Sequence, residues 1–329
     1  MNKSIFVSHS LIIWLLFLLV FSMPLQSENS QLDPSQIQPA DSLYHPDQYY
    51  PYLDDGTPWR HTSDVKWGRL SVIVAGFVVS DAIGFKKLST FWYKTERTTF
   101  HFHEVKRDIR EYKQMDKIAH FIDAYYFSHL ASKIYRWGGL SVPKSVLWGS
   151  ITGSVWMLQI EIVDGFFKRW GFSQLDFMMN LMGSSYSALQ QLYPEQLKGI
   201  RFKVSYFPSD AYLKKRTSEV SQTIADDYEG YTFWLSVNFY DLFPRDWKQS
   251  YPGWLAPWGI AVGYGAQNIA NDVFNGQREI FFGLDIDLNK IPTGKNNLVK
   301  FMKDEFNMLR LPLPAVRISP TTIWFGFYF

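Results

Sequence analysis

Ile200-Arg201-Phe202-Lys203-Val204-Ser205-Tyr206 alternates apolar and polar residues, the pattern of a strand with one covered face. Upstream of it, apolar residues recur at helical spacing; downstream, the period is two. Tyr231 to Phe243, Gly259 to Gln267, Glu279 to Leu288 and Thr321 to Phe329 repeat the alternation, with turns at Pro252-Gly253 and Asn275-Gly276. Asn297 to Arg310 reads as one intervening helix. The fold class expected is therefore α+β: an N-terminal, membrane-associated helical bundle, then an antiparallel β-sheet of about five strands. Membrane barrels start at about eight strands, so five do not close one. An open sheet packed on the helices and an oligomeric barrel both fit that count.

Working back from residue 200, Ser173 reads as the N-cap of a helix running to about Gln191, which Pro194 stops. Pro143 suits the first turn of a helix running to about Gly165. Ser145, Gly149 and Gly153 place small side chains at every fourth position of that helix, which permits close helix–helix approach. Asp116 to Trp137 is a long amphipathic helix that ends at Gly138-Gly139, and Glu104 to Gln114 also reads as helical. Thr98 to His103 reads as extended, and Val65 to Phe85 as a mostly apolar helix. The organisation expected is a signal peptide at 1–27, a polar linker at 28–61, a helical region at 62–196 and a β-rich region at 197–329.

Both ends of the chain speak of the cell envelope. Lys3 precedes an apolar run from Leu11 to Met23, followed by Pro24 and a cleavage site near Leu25-Gln26-Ser27. That run falls short of the roughly 20 residues a spanning helix needs. At the other end, Ile323, Phe325, Phe327 and Phe329 alternate to a terminal Phe, as in the closing strand of outer-membrane barrels. Composition agrees: aromatic residues make up 18% of the chain, with 13 Trp and 19 Tyr, residue types that gather at membrane interfaces. A formal net charge of +2 offers nucleic acid no electrostatic footprint. The localisation expected is the cell envelope, periplasm or outer membrane. The partner expected is membrane lipid, with a lipid-linked or cell-wall molecule and a homo-oligomer as further candidates.

Polar residues at helical spacing inside apolar sequence mark the candidate site. Asp116, Lys117, His120 and Asp123 lie on one helix, Glu161 and Asp164 on a second, and Asp176 and Asn180 on a third. If the three helices pack about one axis, carboxylates and an imidazole converge. A His nitrogen with carboxylate oxygens suits zinc, manganese or magnesium. The same groups suit acid–base chemistry with His120, Glu161 and Asp176 as working residues. They also suit a satisfied internal network in which Lys117 or Arg169 neutralises acids. No cofactor is named by any motif, and the metal is left open.

Three segments carry a resemblance in order: Gln114-Met115-Asp116-Lys117-Ile118-Ala119-His120, Glu161-Ile162-Val163-Asp164-Gly165-Phe166, and Trp170-Gly171-Phe172-Ser173-Gln174-Leu175-Asp176 with Asn180 and Gly183. Together they resemble the YfiM-like family of predicted periplasmic lipoproteins of unknown function. More distantly, the order Asp-Lys-x-x-His, Glu, Asp, Asn, Gly is similar to the VanZ-like membrane proteins. The likeness spans about Phe100 to Tyr206 and implies an envelope component. The chain contains no cysteine, so the lipidation that the resemblance would imply does not carry over. The function expected is a non-catalytic envelope component; the alternative is an enzyme acting on a lipid-linked or cell-wall substrate.

Weaker signals point elsewhere. Asp285-x-Asp287-x-Asn289 opens like a calcium loop, but Lys290 stands where glycine is required. Asp226-Asp227 reads as a solvated pair, and His101-x-His103 as two rings on one strand face. Gly165 and Gly171 read as helix-end positions with positive φ.

Overall fold

The computed structural model describes residues 53, 59–214, 223–292 and 296–329. The signal peptide expected at 1–27, and nearly all of the linker expected at 28–61, lie outside the described residues.

Among the described residues, four long helices come first: α1 (Trp67–Trp92), α2 (Met115–Trp137), α3 (Val142–Asp164) and α4 (Gln174–Leu192). Pro143 occupies the first turn of α3 as expected. Ser173 caps α4, its hydroxyl accepting the Asp176 backbone N–H at 3.0 Å. The small residues of α3 do what their spacing suggests. A Cβ on Gly149 would fall 2.2 Å from Ser132 Oγ, and one on Gly153 2.2 Å from Ser128 Oγ, so α2 and α3 touch backbone to backbone. Gly183 gives α4 the same closeness to α2, 2.0 Å from the Phe121 carbonyl oxygen to a would-be Cβ. α1 docks through Leu70 and Ile73 on Ala131, Tyr135 and Trp148. By length and composition α1 and α3 are both long enough and apolar enough to cross a membrane, and α3 packs against both α2 and α4.

The expected helix over Glu104–Gln114 is corrected. It is one turn, Val105–Asp108, followed by three consecutive left-handed residues, Tyr112 (φ 49°), Lys113 (φ 52°) and Gln114 (φ 67°). No glycine relieves that run, and left-handed conformation costs an L-residue about 1–2 kcal/mol. The β half holds it in place. The Tyr264 hydroxyl donates to the Lys113 carbonyl, and Arg278 Nη2 donates to Gln114 Oε1 at 2.8 Å.

The sheet has six strands rather than about five, in the order β1-β2-β3-β4-β5-β6, each antiparallel to its neighbours. They are β1 (Ile200–Tyr206), β2 (Tyr231–Asn238), β3 (Trp258–Gln267), β4 (Gln277–Ile286), β5 (Leu313–Ser319) and β6 (Ile323–Tyr328). One face of β1 and β2 covers the helices, with Phe202, Val204 and Phe233 packed among Phe121, Ile122 and Tyr186. The opposite face carries Trp234, Ala261, Phe281 and Ala315 as its own core. The sheet curls far enough for the Thr232 and Tyr328 hydroxyls, on β2 and β6, to lie 2.9 Å apart.

Between β4 and β5 runs α5 (Asn297–Phe306), shorter than the expected span to Arg310. Asp304 of α5 pairs with Lys133 of α2 at 2.6 Å and Arg201 of β1 at 3.4 Å, joining helix bundle and sheet. Burial would raise the Asp304 carboxyl, but Lys133, the His129 hydrogen bond and Arg201 outweigh it and hold it well below its usual range. Two smaller readings change. Asp227 is buried, accepting from Tyr206 Oη and Ser209 N at 3.0 Å each, so the pair with Asp226 is not solvated. Gly165 has an ordinary helical φ of −54°; it is needed because a Cβ there would meet the Phe100 ring at 2.4 Å. Gly171 does have positive φ, +92°.

Candidate functional site

α2, α3 and α4 bring the expected residues to one place. Lys117 lies near the start of α2, and its ammonium sits among three carboxylates: Asp108, Asp116 at 3.0 Å and Asp176 at 2.8 Å. Asp176 comes from the first turn of α4, where a negative charge also meets the positive end of the helix dipole. Asp108 lies on the single turn before the left-handed run and is held by the Ser173 hydroxyl, which donates to Oδ2 at 2.7 Å. Burial alone would strip the proton from Lys117, but Asp116, Asp176 and Asp108 push its pKa upward instead.

One helical turn further, His120 Nδ1 lies 3.1 Å from Asn180 Oδ1 and 3.3 Å from Glu161 Oε1. Burial disfavours an imidazolium there, yet Asp176, Glu161 and Asp116 outweigh it and lift His120 to about 9. Asp116 is pushed up to about 6, by burial first and by the Asp176 charge second. Asp176 would rise on burial, but His120, Lys117 and the Ser173 hydrogen bond keep it below its ordinary value. Among the described residues, Asp108, Asp116, Asp176 and Glu161 cluster about Lys117 and His120, so acids outnumber bases there.

A cavity of ≈ 140 Å³ opens beside these groups, with Asp116, His120, Asp164 and Asp176 on its wall. Trp92, Tyr112, Trp170 and Tyr228 supply aromatic sides, and Asp123 stands exposed on the wall one turn beyond His120. Asp164, at the end of α3, faces the Tyr93 hydroxyl. Tyr112 reaches the cavity from the left-handed run, so the strained backbone is part of the site's construction.

Two sets of side chains have the spacing to hold a metal ion, each offering one ligand atom with all three atoms within 4.8 Å of one another. Asp108, Asp116 and Asp176 form the first set, and the Lys117 ammonium already stands among them. His120, Glu161 and Asp176 form the second, which shares Asp176, and with it the Lys117 contact at 2.8 Å, with the first. Here the polar atoms are not all satisfied. Glu161 Oε1, Asp176 Oδ1 and Asn180 Nδ2 are buried without a hydrogen bond. The Lys117–Asp176 Oδ1 and His120–Glu161 Oε1 approaches are ion-pair distances that lack hydrogen-bond geometry. Lys117 Nζ still stands 2.8 Å from Asp176 Oδ1, so the carboxyl short of a partner is that of Glu161, which burial pushes well up against the opposing effect of His120; a proton or a cation would complete it.

Helical spacing therefore located His120, Glu161, Asp176, Asp116, Lys117, Asp164 and Asn180 in one cluster, with Asp123 at its margin. It did not find Asp108, Tyr112, Tyr93 or Tyr228, which reach the site from turns and from the β half. Arg169, the alternative neutralising group, has its guanidinium over the Trp170 ring at 4.5 Å and a side-chain hydrogen bond with Tyr112 on the cavity wall. His101 and His103 serve the neighbouring loop. His101 Nδ1 lies 3.1 Å from the Gly165 carbonyl, and His103 Nε2 lies 3.0 Å from Glu111 Oε2.

No curated protein and no solved structure matches the chain. The stretch that builds the cluster, residues 109–192, is similar to a family described as "predicted periplasmic lipoprotein (DUF2279)", whose model it matches.

Proposed function

We propose that this protein is a component of the bacterial cell envelope whose helical half binds a divalent metal ion at His120, Glu161 and Asp176 and a small ligand in the adjoining cavity. The similarity of residues 109–192 to predicted periplasmic lipoproteins supports the envelope location. The observation that carries the metal reading is the convergence of three ligand atoms within 4.8 Å, two of the carboxylate oxygens there lacking a hydrogen bond. One imidazole nitrogen with two carboxylate oxygens is a donor set for zinc or manganese. Asn180 fixes the His120 ring, as outer hydrogen bonds to ligating histidines do. Lys117 keeps Asp116 and Asp176 ionised and in place. Such an ion, when bound, polarises a ligand oxygen or a water.

The second reading is acid–base catalysis on a lipid-linked or cell-wall substrate, in which Asp116, near 6, and His120 exchange protons with a molecule in the cavity. The aromatic walls favour it, because they leave room for an apolar group beside the acids. Elemental analysis of protein purified without chelators separates the two. The metal reading expects close to one equivalent of zinc or manganese, lost in Glu161→Gln and in His120→Ala while both variants remain folded. Wild-type protein free of metal after incubation with either ion and desalting would overturn it.

A further inference from the structure

The β-sheet is built inside out for a water-soluble protein. Its concave face holds charges: Lys203 Nζ lies 2.7 Å from Asp285 Oδ2 with both side chains buried, and the Arg310 guanidinium sits 4.0 Å over the Trp234 ring. Of the charged residues in the six strands, Arg201, Lys203, Glu279, Asp285 and Arg317 all lie on this face, while Arg278 lies at a strand end among Gln114 and Tyr264.

The convex face of β2 to β6, beyond the part the helices cover, is apolar. Leu235 opposes Val262, which opposes Phe282, then Val316 and Trp324, in one unbroken row across five strands. A second row runs Val237, Ile260, Leu284. Leu235, Ile260, Val262, Phe282 and Leu284 are each 40–46% exposed. In a soluble sheet those positions carry polar side chains.

We propose that this convex wall lies against the acyl chains of a lipid bilayer. Apolar-out, polar-in alternation is the pattern lipid imposes on a sheet. β3 and β4 are 10 residues each, within the roughly 9–11 of a membrane strand. Exposed tryptophans Trp254 and Trp258 mark one end of the wall, where β3 begins; Trp324, opposite Val316, stands in its middle row. Rings of that type collect where hydrocarbon meets headgroups. The absence of charge from both of these rows selects lipid over a soluble partner, whose interfaces carry polar rims. The inference is independent of what the cavity binds.

The chain has no cysteine, so a single introduced thiol gives a unique probe position. The full-length protein carrying Val262→Cys or Phe282→Cys is spin-labelled and reconstituted in phosphatidylethanolamine/phosphatidylglycerol vesicles. Collision rates with oxygen and with a water-soluble nickel chelate are then compared. Both labels are expected to meet oxygen and exclude nickel, whereas a label at the exposed Lys66→Cys meets nickel. Nickel access equal to that of Lys66→Cys overturns the proposal. So does shielding from both reagents, which would mean that protein covers the wall.

Leu284→Arg provides a measurement without a label. The substitution leaves the concave face intact and should reduce vesicle co-flotation by on the order of tenfold or more. Co-flotation equal to wild type overturns the proposal equally.

Discussion

One ammonium, that of Lys117, stands among Asp108, Asp116 and Asp176, and the cluster depends on it more than on any other group. Removing one partner of a buried ion pair leaves uncompensated charge and costs about 3–5 kcal/mol. Lys117→Met should therefore lower unfolding stability by about that amount, read from denaturant unfolding in detergent. A loss under about 1 kcal/mol would show that the acids take up protons without cost.

A second residue-scale test uses His103. The Glu111 carboxylate raises its pKa, against the opposing effect of burial. For Glu111, burial pulls upward, but His103 and Arg107 outweigh it and lower its pKa. The stability from a raised histidine is complete below its unfolded value near 6.5 and is lost as pH climbs through the raised folded value. The stability from a lowered glutamate is complete above its unfolded value near 4.5 and is lost as pH falls through the lowered folded value. Thermal stability should thus decline on going from pH 6 to pH 9, and His103→Gln should flatten that decline. An unchanged slope in His103→Gln would assign the decline to other groups.

Among the elements, α2 and α3 approach so closely at Gly149 and Gly153 that a methyl group has nowhere to go. Gly153→Ala should cost about 1–3 kcal/mol by overpacking, despite alanine's better helix propensity, and Gly76→Ala on the open side of α1 should not. Equal melting temperatures for the two variants would disprove the tight seam. The seam was legible because small residues every fourth position are a helix-face pattern. The same period exposed Asp116 with His120, and Asp176 with Asn180.

What helical spacing could not carry lay in irregular backbone. Asp108 joins the cluster only because Tyr112, Lys113 and Gln114 turn left-handed, and none is the glycine that would have announced it. β5 escaped because Pro312, Pro314 and Pro320 break up its short alternation, whereas it pairs with β6 as an ordinary ladder. Asp227 looked solvated for want of any local sign that Tyr206 and Ser209, from a distant strand and turn, would close over it.

At the scale of the molecule, a helix bundle and a sheet share one core, and each keeps its charges inward. In the sheet the ions are matched, Lys203 with Asp285 and Arg317 with Glu279. In the bundle they are not: acid exceeds base around His120, a cavity adjoins it, and strained backbone holds Tyr112 at its edge. That difference is why a ligand is assigned to the bundle and a structural role to the sheet's ions. The most direct test is an anomalous difference map from crystals of the full-length protein soaked in manganese. The account predicts a peak within about 2.0–2.4 Å of a His120 ring nitrogen and of oxygens from Glu161 and Asp176. A map without density there, in crystals that bind manganese elsewhere, would contradict it.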